Sequence, residues 1–194
     1  MSAETSSSTA VAPVIQGRTG WALLGVTRIL IGFTFLWAFL DKAFGLGFAT
    51  CSDRETGAIT VNCDASWING GRITEGYLGS SSGPFAEFFQ TLGGQAWTDW
   101  FFMLGLLGIG LALMLGIGTR VAMVAGPLML VMMYVSHAWP GAVQNANNPF
   151  VDEHIIYSVA IIAIVILEAR YIQKIGFGEP WKRLPIVQKN RWLV

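Results

Sequence analysis

Four apolar runs set the plan of this chain. They cover residues 20–40, 97–118, 120–139 and 151–169, and each approaches the roughly 20 residues an α-helix needs to cross a hydrocarbon core about 30 Å thick. The pattern predicts an all-α membrane protein, a four-helix transmembrane bundle over residues 20–170. Residues 1–19 are rich in Ser, Thr and Ala and lack the basic stretch and cleavage site of a signal peptide, so they read as a disordered cytoplasmic tail. Residues 171–194 read as a cytoplasmic C-terminal tail.

The connection at 41–96 is too long for a simple loop and is expected to carry structure. Within it, the serines at 80–82 with Gly83 and Pro84 form a helix-start signal. Phe85, Phe88, Phe89 and Leu92 follow at helical spacing, predicting a short amphipathic helix on the bundle or in the interface. Cys51 and Cys63 are the only cysteines and flank a turn and a short strand expected at 58–62. Lacking Cys-x-x-Cys spacing, and lying on the side expected to be oxidising, they read as a structural disulfide. In the second run Gly108, Ala112 and Gly116 form a small-residue stripe suited to close packing between helices. Pro127 interrupts the third.

Composition strengthens this picture: 53% of residues are hydrophobic and 12% charged, against about 25% charged in soluble domains. A soluble enzyme is excluded, the lipid bilayer is the expected surroundings, and a net charge of zero gives no reason to expect nucleic acid. No Walker loop, dinucleotide-binding fingerprint or metalloprotease motif occurs. The basic residues fix an orientation. Arg18, Arg120, Arg170, Lys174, Lys182, Arg183, Lys189 and Arg191 fall on the side of the termini, and only Lys42, Arg54 and Arg72 on the other, which places both termini in the cytoplasm.

Ionisable groups inside the apolar runs are candidates for function, because charge is costly there. They fall into two layers. At about 1.5 Å per residue, Arg28 lies about 20 Å inward of Asp41, and Glu168 about 21 Å inward of His154. Arg28 and Glu168 can therefore pair across the first and fourth helices, or each can snorkel to the headgroups separately. At the outer level, His137, His154, Asp41 and Asp152 can converge, while the alternative is a set of solvated helix ends with Asp152 capping the fourth helix. Histidine can relay protons or bind haem, and two histidines alone do not decide between these. A metal site is not expected, because soft or multiple ligands are missing.

Three segments together carry a family resemblance: RILIGFTFLWAFLDK at 28–42, GSSSGPFAEFF at 79–89 and NPFVDEH at 148–154. In order and spacing they resemble the DoxX/DoxD family of small four-helix membrane proteins, over most of 28–170 but not the cysteine hairpin. That family includes the DoxD subunit of a thiosulfate:quinone oxidoreductase and mycobacterial relatives associated with detoxification enzymes at the membrane. The resemblance implies a bacterial or archaeal multi-pass membrane protein with a quinone-linked role, sulfur compounds being the substrate class it suggests, and other subunits of a membrane redox complex as partners. It assigns no catalytic residue.

The leading expectation is a membrane subunit of a quinone-linked oxidoreductase, with Arg28, Asp41, His137, Asp152 and His154 lining a quinone or proton path. The alternatives are a non-catalytic accessory or assembly subunit of a respiratory or redox complex, and a bis-histidine b-type haem carrier, which is disfavoured because it rests on the histidine pair alone. The orientation is directly testable. Reporter domains fused to the C-terminus should be active in the form that requires the cytoplasm and inactive in the form that requires the outer compartment; the reverse pattern would overturn it.

Overall fold

The computed structural model describes residues 18–53, 55–138, 150–171 and 176–193. Most of the expected N-terminal tail (1–17), Arg54, Trp139, Pro149 and Lys174 lie outside the described residues. Among the described residues the chain is helical and contains no strand. Four long helices, α1 (Arg18–Phe44), α4 (Ala96–Leu115), α5 (Thr119–Met133) and α6 (Glu153–Tyr171), alternate with short ones: α2 (Ile73–Gly79), α3 (Ala86–Leu92), α7 (Gly178–Lys182) and α8 (Pro185–Lys189). Among the described residues, three segments are long and apolar enough to cross a membrane: Thr19–Phe44, Ala96–Leu115 and Thr119–His137. The last runs through Pro127 and ends in a π-helical turn, Tyr134–Ala138.

The long helices share one core. α1 packs on α4, α5 on α6, and weaker contacts join α4 to α5 and α1 to α6. Ile31 and Phe35 of α1 meet Met103, Leu106, Ile109 and Leu113 of α4, with Leu130 of α5 and Ile161, Ile164 and Val165 of α6 completing the cluster. The three- and four-residue spacings put one stripe of each helix inward. The opposite faces are also apolar: Leu30, Phe101, Val124 and Val159 are all more than half exposed. Such surfaces fit a lipid environment and would be a liability in water.

The close approach of α1 to α4 is made by glycines other than the expected stripe. A Cβ on Gly32 would sit 2.8 Å from the backbone nitrogen of Met114, and one on Gly110 would sit 2.8 Å from that of Leu36. Gly108 instead faces open space among the described residues. Gly116 ends α4 at φ +73°, with its N–H on Ala112 O. Helical period explains the difference: Gly110 shares a face with Leu106 and Leu113, whereas Gly108 lies on the other side.

The end of α4 is closed by two separate donors. The last four carbonyls of a helix have no partner within it. Here Arg28 donates from a guanidinium nitrogen to Leu113 O, and Phe177 N–H donates to Leu115 O at 2.7 Å. The Arg28 side chain is 2% exposed, and its Nε lies 2.9 Å from Glu168 Oε2. It joins α1, α4 and α6, and it presses on Gly116, where a Cβ would come within 2.9 Å of the guanidinium. The C-terminal segment is thus more than a tail: it folds into α7 and α8, buries Val187 completely and contacts the α5 helix.

At the opposite end, the connecting segment is ordered by Asp41. This carboxylate is 2% exposed and accepts the backbone N–H groups of Phe48, Ala49 and Thr50, each at 3.0 Å. A disulfide joins Cys51 to Cys63. The strand expected at 58–62 is reduced to an isolated bridge between Ser52 and Ile59, because Asn62 turns at φ +59° and gives its N–H to Gly45 O. The short helix α3 forms within the expected 85–92, with Phe89 buried and Phe85 and Phe88 exposed. The serines before it do not cap it. Instead, Ser82 and Gly83 donate their N–H groups to Ser136 O, in the π-helical turn of α5.

Removing one member of the Arg28–Glu168 pair leaves a buried charge without compensation. Glu168→Ala is expected to cost about 3 kcal/mol of unfolding free energy in detergent or lipid, and the double variant Arg28→Leu with Glu168→Leu much less. A double variant that loses the sum of the two single losses, with no coupling in the cycle, would refute a stabilising pair.

Candidate functional site

Beneath α2 and α3 lies an apolar cavity of about 330 Å³. Phe89 and Leu92 of α3 form its roof, and Phe102 of α4 with Met132 and Met133 of α5 form its walls. Methionine and aromatic walls suit a flat, adaptable ligand. The polar groups facing this space are few: Lys42 of α1, Thr74 and Tyr77 of α2, Thr98 of α4 and Ser136 of the π-helical turn.

Thr98 is the most informative. Its hydroxyl is buried and has no hydrogen-bond partner among the described residues. A buried polar atom left unsatisfied costs roughly 1–3 kcal/mol, so such atoms mark places where a ligand or water is expected. Thr74 is committed elsewhere, donating both N–H and Oγ1–H to Asp99 Oδ1 at 2.8 and 2.7 Å. Lys42 follows Asp41 in α1, and while Asp41 turns to the connecting segment, Lys42 turns to the cavity.

Tyr77 connects the cavity to a second polar group of residues. Its ring stacks on the His137 imidazole with centroids 4.1 Å apart. Burial pushes the Tyr77 phenol above its ordinary value of 10.0, a hydrogen bond with Ser136 pulls the other way, and the charge of Asp152 adds to the upward shift. Tyr77 therefore remains an O–H donor throughout the neutral range. Ser136 Oγ gives its own proton to Met133 O at 2.8 Å and lies 2.9 Å from His137 Nδ1. The other ring nitrogen, Nε2, lies 3.3 Å from Ser80 Oγ, and the imidazole also makes a hydrogen bond to the backbone of Tyr77.

His154 is fixed by its own helix start. Asp152 Oδ1 accepts the N–H of His154 at 3.1 Å and that of Ile155 at 3.3 Å, capping α6, while Asp152 Oδ2 is 2.7 Å from His154 Nδ1. The two imidazoles are within electrostatic reach of each other. Tyr134 ties this end together by donating its hydroxyl to Phe150 O at 3.1 Å.

The five residues expected along one path thus fall in three places. His137, Asp152 and His154 are brought together, behind Tyr77 and outside the lining of the cavity. Asp41 is held by the loop N–H groups, and Arg28 lies toward the other end with Glu168. Sequence reasoning missed Tyr77, Thr98 and Ser136 as site residues. The serine and threonine carried a signal, being hydroxyls within or beside apolar runs, whereas Tyr77 lies on the unforeseen helix α2. Comparison with protein-family models, with curated proteins and with solved structures gave no match to this chain. No group of three or more histidine, cysteine or acidic residues with metal-binding geometry occurs among the described residues.

The raised phenol has an optical consequence. The chain has four tyrosines, and Tyr77 should ionise at higher pH than an exposed tyrosine, so Tyr77→Phe should remove less tyrosinate absorbance at pH 10 than loss of an exposed tyrosine would. Because the folded state holds this proton more tightly than the unfolded state does, stability should fall as pH rises above 10, and more so in wild type than in Tyr77→Phe. A loss at pH 10 as large as that of an exposed tyrosine would show an ordinary phenol instead.

Proposed function

We propose that the chain is a four-helix transmembrane protein of a bacterial or archaeal cell membrane, in which α6 is the fourth span, both termini are cytoplasmic and the cavity beneath α2 and α3 binds a quinone ring. In this reading it serves as the membrane subunit of a quinone-linked oxidoreductase. The observation that carries the proposal is the unpartnered Thr98 hydroxyl in a largely apolar cavity with a few polar groups, the usual form of a small-molecule site. The fourth span is supported by the apolar outer face of α6, where Ile156, Val159 and Ile166 are exposed. The resemblance of 28–42, 79–89 and 148–154 to the DoxX/DoxD family points the same way.

The residues divide the work. Thr98 and Tyr77 donate hydrogen bonds to ring carbonyl oxygens, and Lys42 supplies positive charge where reduction builds negative charge. A bound quinone takes up two electrons and two protons on reduction. His137, stacked on Tyr77, and His154, oriented by Asp152, stand between the cavity and the outer end of the bundle, where they can pass protons. Electrons come from a partner subunit outside this chain. The bis-histidine haem reading gains less from the geometry, since His137 Nε2 faces Ser80 and its ring is stacked on Tyr77. The accessory-subunit reading draws on the exposed Ile59, Val61, Phe85 and Phe88 of the outer segment, an apolar surface that a partner could cover.

Binding of a short-chain quinone to the purified chain in nanodiscs separates these readings. Thr98→Val and Tyr77→Phe are each expected to weaken binding about tenfold, the equivalent of one hydrogen bond of about 1.4 kcal/mol. His137→Ala and His154→Ala should slow quinone-coupled electron transfer in the native complex while leaving binding intact. Unchanged quinone binding in both cavity variants, with normal assembly and electron transfer in the histidine variants, would favour the accessory subunit. A Soret band lost with either histidine would favour haem.

A further inference from the structure

A second opening lies on the same end of the molecule, away from the cavity. It is a groove of about 490 Å³ with Trp67 and Trp100 as walls, Gly70 and Gly71 along one edge, and Arg72 and Asp99 at its polar end. The tryptophan rings meet edge to face with centroids 4.6 Å apart. Asp99 belongs to the first turn of α4 and its side chain is 3% exposed, yet it lines the groove. One oxygen, Oδ1, is filled by the two donors of Thr74. The other, Oδ2, has Arg72 Nη1 at 3.7 Å, which is ion-pair distance but beyond a hydrogen bond. Arg72 is itself half exposed, at 50%.

A carboxylate oxygen that faces the groove with no hydrogen-bond donor among the described residues, beside two indole rings and a half-exposed guanidinium at ion-pair distance, presents one negative and one positive group to a ligand. A ligand carrying both charges fits it better than one carrying either alone. A primary ammonium can donate to Asp99 Oδ2 and lie against the tryptophan faces, where cation–π attraction adds to the ion pair. A phosphate can take the Arg72 guanidinium by paired hydrogen bonds. A quaternary ammonium has no N–H for Oδ2, and an uncharged headgroup leaves Asp99 unmatched.

The surface below the groove shows what the ligand is attached to. Trp97, Phe101, Leu104 and Leu111 recur on one exposed face of α4, and Gly108 lies on that same face with open space where a side chain would stand. This apolar track leads from the groove along a helix long enough to cross a membrane. We propose that the groove binds the phosphoethanolamine headgroup of a membrane phospholipid, with an acyl chain lying along this face of α4.

Native mass spectrometry of the full, delipidated chain tests the assignment with phosphatidylethanolamine, phosphatidylcholine and phosphatidylglycerol of identical acyl chains. Phosphatidylethanolamine should bind at about tenfold lower concentration than the other two, a difference equivalent to about 1.4 kcal/mol. Arg72→Gln and Trp100→Leu alter side chains that are half exposed or more, so the fold should survive, and each should abolish the preference. Equal binding of the three lipids, or a preference unchanged in both variants, would overturn the proposal. Displacement of the lipid by equimolar O-phosphoethanolamine would show that a soluble zwitterion, and not the lipid, is the occupant.

Discussion

The arrangement of the long helices depends on how one buried cation is satisfied. Arg28 sits in the middle of an apolar helix, where an unpaired guanidinium would cost several kcal/mol. The structure meets it with three kinds of negative partner: the Glu168 carboxylate from α6, the Leu113 carbonyl from α4, and the negative end of the α4 helix dipole nearby. Each partner has its own reason to be there, since the carbonyls at the end of α4 need donors and Glu168 needs a cation. Their needs are reciprocal, so the site fixes the relative depth of α1, α4 and α6 in a way that apolar contacts alone, which slide easily, do not. Gly116 and the close approaches at Gly32 and Gly110 then follow, because nothing larger leaves room.

The fold was legible in the sequence where periodicity and length were decisive. The four apolar runs and the short helix at 85–92 were visible because each shows helical spacing over enough residues. The Arg28–Glu168 pairing could be reached by counting helical rise, since depth in a straight helix is nearly linear in residue number. What could not be read depended on rotation and on contacts distant in sequence. Gly108 and Gly110 are both small and both lie in α4, and only the direction of α1 decides which one is used. Helix α2 carries two glycines in seven residues and has no periodic pattern long enough to announce it. The candidate cavity was hidden for the same reason, because its roof and Tyr77 belong to the segment whose folding is set by Asp41, Asp99 and the disulfide.

Polar groups at the end that carries the connecting segment serve structure first. Asp41 and Asp99 are both buried carboxylates: Asp41 accepts three backbone N–H groups of the connecting segment, and Asp99 accepts the N–H and the hydroxyl of Thr74. They substitute for the regular hydrogen bonding that an irregular stretch beside the membrane lacks. Only after these demands are met do free hydroxyls such as that of Thr98, and a free carboxylate oxygen on Asp99, stand out. The candidate chemistry of the molecule resides in these leftovers and not in the charged residues as a class.

Ser136 occupies a position where two of these functions meet. Its carbonyl holds the strand of chain leading into α3 through Ser82 and Gly83, while its hydroxyl faces the cavity and the His137 ring. The π-helical turn makes this double use feasible by turning a carbonyl away from the helix ladder. The two ends of one residue are thereby mechanically linked. Anything that draws on the hydroxyl from below pulls on the latch above, and a small unwinding of that turn would release the roof without disturbing the core that Arg28 secures.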